Sequence, residues 1–292
     1  MEKIIKTTNQ FLKRYNLKAL DLPIWIIGLA IVIAWISPFF WMVSTSLKET
    51  SEILTLNNDW IPKTFTLDSY KMIFEWYPVT TWAMNSVIQA VASTFLCILF
   101  GSMAGYALAR LQFPGRDMIF LILIASIMIP GEVYVIPLLL GILKVGLANT
   151  YLSLILPTVA NVICVYIFRQ FFMTFPKELE ESSKIDGATS LQIYWFVALP
   201  MARAPMIAAA VIIFTLNWNS FLWPLLVIFE EEMKTMPIGI AVFASVHGHH
   251  TQLDAFGVAM AGSTLLSIPS LFVFFVLQRY FVQGISTGGI KA

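Results

Sequence analysis

Charge is the scarcest commodity in this chain. Of its 292 residues only 12% are Asp, Glu, Lys or Arg, while 58% are hydrophobic and the mean hydropathy is +0.79. Soluble domains carry about 25% charged residues, so a chain folded wholly in water is excluded. A net charge of +1 gives no basis for a nucleic-acid partner. Cysteine is nearly missing as well. Cys97 and Cys164 fall in separate apolar runs, so no disulfide framework is written in the chain. There is no G-x-x-x-x-G-K-S/T loop to cradle a nucleotide, no H-E-x-x-H pair and no nucleophile–base arrangement. No catalytic residue is therefore assigned, and the chain is not read as an enzyme. Internal repeats, low-complexity tracts and a soluble domain are also lacking.

What is present is length without charge. Six runs are long enough to span a bilayer: 22–47, 82–109, 118–143, 145–168, 204–229 and 255–277. At about 1.5 Å per residue each exceeds a hydrocarbon core of about 30 Å, so tilted or interfacial ends are expected. The first run is too long for the apolar core of a signal peptide and lacks a small-residue cleavage site, so it reads as a retained helix. A tight turn is predicted at 143–149, between the third and fourth runs. The fold class is all-α and integral to the membrane, with six spans in one domain over 1–292. Placing the N-terminus inside puts 13 of the 18 Lys and Arg residues on the inner side, the asymmetry that cytoplasmic loops show. Both termini are then cytoplasmic.

The most informative polar interruption is 176–200, PKELEESSKIDGATSLQIYWFVALP. Charge this dense cannot lie in hydrocarbon, where one charge at the centre costs at least about 2.5–3.5 kcal/mol. Pro176 can open a helix, because its missing N–H is not needed in the first turn. Glu178, Glu180 and Glu181 suit the positive end of that helix. Gly187 is placed to end it, and Ser190 to cap a second helix. Leu191, Tyr194, Trp195 and Ala198 predict an apolar stripe on that second helix, which Leu199–Pro200 would stop. On residues alone this is either an ordinary amphipathic interfacial loop or a docking platform. Ser182 and Ser183 leave a low ridge suited to a partner's groove.

The segment resembles the EAA loop of ABC importer membrane subunits, E-A-A-x-x-x-D-G-A with a downstream L-P. Here the pattern is Glu181, Ser182, Ser183, then Asp186, Gly187 and Ala188, then Leu199 and Pro200. Serines replace the two alanines. YALARLQFPG (106–115), FRQFF (168–172), NWNSFLWPLLV (217–227), TMPIGI (235–240) and the terminal QRYFVQGISTGGIKA are similar to the sugar-importing branch, in the same order. The nearest type is the smaller, six-helix permease of maltose-like transporters. The resemblance implies a multi-pass protein of the inner (cytoplasmic) membrane that forms half of a path for a sugar or oligosaccharide. It implies a second, homologous permease, two ATPase subunits (homodimer or heterodimer) and an extracytoplasmic solute-binding protein. ATP and Mg would be held by the ATPases, and this chain would bind no cofactor. The first platform helix would be the coupling helix.

The same resemblance assigns the outer loop 230–254 to contact with the binding protein, through Lys234, Pro237, Gly239, His247, Gly248, His249 and His250. The three histidines also raise a metal reading, but H-x-H-H offers no fourth ligand or second shell, so no metal site is assigned. Asn217, Trp218, Asn219 and Trp223 place amides and aromatic rings in the fifth span. Sugar pockets use such groups; interhelical hydrogen bonds and interfacial anchoring use them equally. Glu132 follows Pro130–Gly131 inside the third span, toward its outer half, and an acid there needs a cavity or a partner. These five residues are the candidate substrate path. Gly101-x-x-x-Gly105 and Gly257-x-x-x-Ala261 are small-residue patterns for close helix approach. A permease for another polar solute, such as a glycerol phosphate ester, stays open, although Lys and Arg lie at span ends. An ion-driven secondary transporter would need paired charges within the spans or an inverted repeat, and neither is found.

Overall fold

The computed structural model describes residues 21–53, 59–243 and 252–288. Among these no strand forms, and the elements are helices: α1 Asp21–Ser46, α2 Asp68–Trp76, α3 Val79–Arg110, α4 Arg116–Ser126, α5 Gly131–Lys144, α6 Tyr151–Val159, α7 Val162–Met173, α8 Lys177–Ile185, α9 Ser190–Met201, α10 Arg203–Trp218, α11 Leu222–Val227, α12 Met236–Phe243 and α13 Gln252–Gly288. Three helices are long and apolar enough to cross a membrane alone, within α1, α3 and α13. Three further candidates are bent pairs: α4 with α5 at 99°, α6 with α7 at 41°, and α9 with α10 at 78°.

The breaks have local causes. The third apolar run was expected as one span; it is two helices, because Pro130 at the cap of α5 has no N–H to continue α4. Glu132 therefore sits in the first turn of α5, beyond a near-right-angle bend, and a depth counted along a straight helix does not apply to it. The tight turn before α6 forms as expected: Gly146 (φ +70°) donates to the Leu143 carbonyl, and Thr150 caps α6.

The chain divides into two compact units, 1–72 with 248–264 and 73–247 with 265–292. In the first, the apolar stretch of α1 is wholly unburied, as suits a surface facing lipid. Lys48 is buried and donates to the Asp59 carbonyl at 2.5 Å, and Ser46 meets Tyr70 at 2.8 Å. Gly257 packs on Ser69 and Ile53, and Ala261 is buried.

The second unit is built on α3. Gly101 and Gly105 press against α7: a Cβ at Gly105 would lie 2.7 Å from the Phe168 Cβ and 2.9 Å from the Arg169 nitrogen. The small-residue pattern thus has α7 as its partner. Around it gather Cys97, Cys164, Tyr106, Phe168, Phe172, Tyr194 and Ile213, all buried.

Candidate functional sites

The platform is α8 and α9. Pro176 precedes α8, with Glu178 and Glu180 in the first turn, where backbone N–H groups are unpaired and negative charge is favoured. Its end is a full Schellman motif. Gly187, at φ +83°, donates to Lys184, and Ala188 donates to Ser183. An L-residue pays about 1–2 kcal/mol for that backbone region, which is why glycine stands there. Ser182 and Ser183 donate their hydroxyls to the Leu179 carbonyl at 3.2 and 2.7 Å. Their polarity is spent inside the helix, so they present surfaces close to the alanines they replace.

The second helix differs from expectation in three ways. Thr189, not Ser190, is its N-cap, in a capping box with Gln192. The buried face is Ile193, Tyr194 and Ala198, while Leu191 and Trp195 are exposed. Five π-helical residues, Tyr194–Ala198, rotate the stripe away from simple 3.6-residue spacing. Leu199 and Pro200 do not stop the helix: it runs to Met201, because Pro200 falls in the first turn of the segment Leu199–Met201, where no N–H is required.

Glu181, Ser182 and Asp186 are exposed beside Gly187, with Ser183 and Ala188 half-buried. A groove of about 340 Å³ runs past Ser183, Gly187, Ala188, Gln192 and Phe196. Two large apolar side chains stand out from this polar platform, Ile185 at 86% and Phe196 at 78% exposure. Neither is marked by any pattern in the sequence.

A buried ion pair holds the platform to α3. Glu180 is buried and takes a hydrogen bond from the Arg110 Nε at 2.7 Å, with side-chain exposures of 10% and 7%. Tyr106 donates to the same carboxylate oxygen at 3.4 Å, and the Ser102 and Tyr194 hydroxyls meet at 2.7 Å. Removing one member of such a buried ion pair strands the other charge, at a cost of about 3–5 kcal/mol. No spacing rule links positions 110 and 180, which only the fold brings together.

A cavity of about 420 Å³ opens between α5, α6 and α10–α11. Glu132, Asn217 and Trp223 line it, joined by Tyr134, Thr158 and Asn161. Asn161 carries the same signal as Asn217, an amide within an apolar run. It caps α7 through its Oδ1, which accepts from Ile163 and Cys164. Trp223 is largely buried, donates its indole N–H to the Ser153 carbonyl and packs with Leu154 and Val227, so it meets the cavity as part of its wall; Asn217 is buried too and donates its Nδ2 to the Ile213 carbonyl at 2.9 Å. The other two candidates do not belong. Trp218 is buried, stacks on Phe214 and donates to the Leu266 carbonyl at 2.8 Å. Asn219 ends α10, bonded to Thr215 and Ser270. Successive residues on a helix point about 100° apart, so only one of three neighbours could face the cavity.

The described part of the 230–254 segment is tied to α3 through its backbone, although Glu230, Glu231 and Glu232 stay exposed. Trp82 donates to the Glu231 carbonyl at 3.0 Å, and Asn85 donates to Glu232 at 2.7 Å and Lys234 at 2.9 Å. Met236 N–H donates to the Ser86 hydroxyl at 2.8 Å. Pro237 and Gly239, expected at a contact surface, are buried; a Cβ at Gly239 would enter the Trp82 ring. Lys234 is half-buried and paired with Glu231. His247, Gly248, His249 and His250 lie outside the described residues. Among those described, no group of His, Cys, Asp and Glu is arranged to hold a metal ion.

These parts are an apolar helical bundle, a cavity lined by polar and aromatic groups within it, and an exposed polar platform of two short helices. They are the parts of a multi-pass membrane permease. The chain belongs to the binding-protein-dependent transport system inner membrane components, whose family matches residues 97–287. It is 38% identical to the arabinooligosaccharides transport system permease protein of Halalkalibacterium halodurans, over 87% of this chain and 90% of that protein. It is 34% identical to the lactose transport system permease protein of Rhizobium radiobacter (88% and 91%), and 35% identical to the sn-glycerol-3-phosphate transport system permease protein of Yersinia pestis (69% and 71%). The fold matches a chain in the crystal structure of a bacterial ABC transporter involved in the import of the acidic polysaccharide alginate, with TM-score 0.80 at 18% identity, over 90% of this chain and 98% of that one. The chain is thus a multi-pass inner-membrane permease subunit of an ABC transporter. It works with a binding protein and with ATPase subunits that carry the hydrolysis, and the family itself binds no cofactor.

Proposed function

We propose that this permease forms half of the path for a neutral oligosaccharide. The observation that carries this is the cavity: Glu132 supplies a carboxylate, Asn161 and Asn217 supply the amide atoms left over from their bonds to the α7 cap and to the Ile213 carbonyl, Tyr134 and the edge of the largely buried Trp223 supply ring surface, and none of the lining residues is Lys or Arg. Hydroxyl-rich rings need that combination. A phosphate ester or a uronate would meet the exposed Glu132 carboxylate with no Lys or Arg in the lining to offset the like-charge repulsion. Relatives named for arabinooligosaccharides and lactose support the reading, and the relative named for sn-glycerol 3-phosphate is the alternative to test. Uptake of labelled arabinooligosaccharide, lactose and sn-glycerol 3-phosphate, measured with the full set of subunits, decides between them. Uptake of the phosphate ester alone would refute the proposal.

In this reading the chain is one permease domain paired with a homologous permease in the lipid bilayer, with both termini cytoplasmic. Two ATPase subunits seat on the platforms. Glu181, Ser182, Ser183, Asp186, Gly187 and Ala188 form the surface entering the ATPase cleft, with Leu199 and Pro200 behind it. Exposed Ile185 and Phe196 give that surface the apolar anchors that water alone would not favour. The loop 230–254 meets the binding protein through its outer part, with Pro237 and Gly239 acting as packing beneath it. ATP-driven closure moves the coupling helices, and the bundle alternates between outward- and inward-facing cavities.

A further inference from the structure

Helix α3 holds the outer loop at one end and the coupling helix at the other. At its outer end Trp82, Asn85 and Ser86 bond the segment Glu231–Met236, and the Tyr151 hydroxyl donates to Asn85 Oδ1 at 2.7 Å. At its inner end Arg110 and Tyr106 bond Glu180 of α8, and Ser102 meets Tyr194 of α9. We propose that α3 is the rigid link that carries the binding protein's signal to the coupling helix. Asn85 is its outer joint and the buried Arg110–Glu180 pair its inner one, so these three are positioning residues for energy coupling. The inference rests on the reading that the outer loop meets the binding protein and the platform meets the ATPase.

Three observations favour α3 over its neighbours. It runs 32 residues with no internal proline, whereas the bent pairs α4–α5, α6–α7 and α9–α10 each contain a break that can absorb a displacement as a hinge. From Asn85 to Arg110 it spans about 38 Å at about 1.5 Å per residue, more than a hydrocarbon core. Its joints are directional. Apolar helix faces can slip past one another, but a buried guanidinium and carboxylate cannot separate without each losing its counter-charge. When α3 shifts, Glu180 must follow, and α8 with it. Glu180 lies one residue before the docking face that begins at Glu181, so the pull acts at the root of that face. This is a physical chain between two sites rather than mere proximity, and coupling between sites requires such a link or an equivalent two-state element.

The test uses the complete complex in lipid nanodiscs with loaded binding protein. The variants are Glu180→Gln, Asn85→Ala, their combination, and the charge exchange Arg110→Glu with Glu180→Arg. Asn85→Ala should keep full ATPase stoichiometry and basal hydrolysis within about twofold; Glu180→Gln, which strands the Arg110 charge, is scored against its own basal hydrolysis at equal ATPase stoichiometry. Glu180→Gln and Asn85→Ala should each lower the maximal stimulation by binding protein at least tenfold, with the half-stimulating concentration of binding protein unchanged. The combined variant should lose little more than either alone, because both cut one link. The exchange should recover part of the stimulation. Full stimulation in Glu180→Gln or Asn85→Ala overturns the proposal, and so does a multiplicative loss in the combination. If Glu180→Gln fails to assemble, Asn85→Ala, which leaves the buried charges paired, carries the same threshold. A wild-type complex that ignores loaded binding protein, or purifies without ATPase, overturns the underlying functional reading instead, and the inference falls with it.

Discussion

Gly105→Ala should be far more damaging than Gly101→Ala, although the two glycines belong to one pattern. A Cβ at Gly105 would stand 2.7 Å from the Phe168 Cβ, 2.9 Å from the Arg169 nitrogen and 3.0 Å from the Val165 carbonyl oxygen. Non-bonded carbons prefer about 3.5–4.0 Å, so α3 and α7 would have to part by about 1 Å, a gap that forfeits a quarter to a half of each contact's attraction. Two of the obstructing atoms are backbone, and no rotamer change moves them. Helices in lipid associate through packing rather than hydrophobic expulsion, so the lost fit is not recovered elsewhere. The cost should reach the top of the overpacking range, about 3 kcal/mol. At Gly101 the nearest obstacles are the Cys164 Sγ at 2.7 Å and its Cβ at 3.1 Å. A thiol can turn aside, so about 1 kcal/mol is expected. Thermal unfolding of the purified complex, followed by tryptophan fluorescence, reads the difference. At about 2–4 °C per kcal/mol, Gly105→Ala should lower Tm by roughly 6–12 °C and Gly101→Ala by a few degrees. Adding Cys164→Ala should restore most of the Gly101→Ala loss. Adding Phe168→Ala should not rescue Gly105→Ala, since the Phe168 Cβ and the backbone atoms remain. Equal Tm values for the two single variants would refute the steric account.

Three further outcomes are expected. Gly187→Val should insert in the membrane yet lose transport and ATPase binding, whereas Gly187→Asn should retain much of both: a Cβ there touches nothing, so the penalty is the φ of +83° alone, which asparagine tolerates; wild-type transport by Gly187→Val would remove the platform from the mechanism. With Cys97 and Cys164 replaced by alanine, an impermeant thiol reagent on intact cells should label a cysteine at 249 and spare one at 187, and the reverse pattern would invert the topology. Replacing His247, His249 and His250 together by Ala should leave metal content unchanged, while deletion of 245–252 should impair stimulation by loaded binding protein with assembly intact; stoichiometric zinc lost in the triple variant would establish a metal site.

The platform at 176–200 is legible in the sequence because its determinants are local. A dense patch of charge cannot enter lipid, and a helix that must turn on one residue writes Gly187 into the chain. The small-residue pattern at Gly101 and Gly105 was equally plain, but its partner α7 was not, since a pattern for close approach does not say what approaches. The bend at Pro130 turned one apparent span into two helices, because hydropathy records apolar length and is blind to direction. Of five candidate cavity residues, Glu132, Asn217 and Trp223 meet, while Trp218 and Asn219 turn elsewhere: composition identified the run, and helical phase chose among its members.

Taken alone, the sequence determined what free energy requires of each residue against its own surroundings: which runs enter the bilayer, which segment stays out, where a helix caps and ends. The tertiary structure alone decided what depends on pairing across the chain. Arg110 meets Glu180 and Asn85 meets Glu232 and Lys234 across 70 and about 150 positions. A polar group in an apolar setting announces only that it needs a partner; which partner is settled by where the packed helices bring the two side chains within about 3 Å of each other.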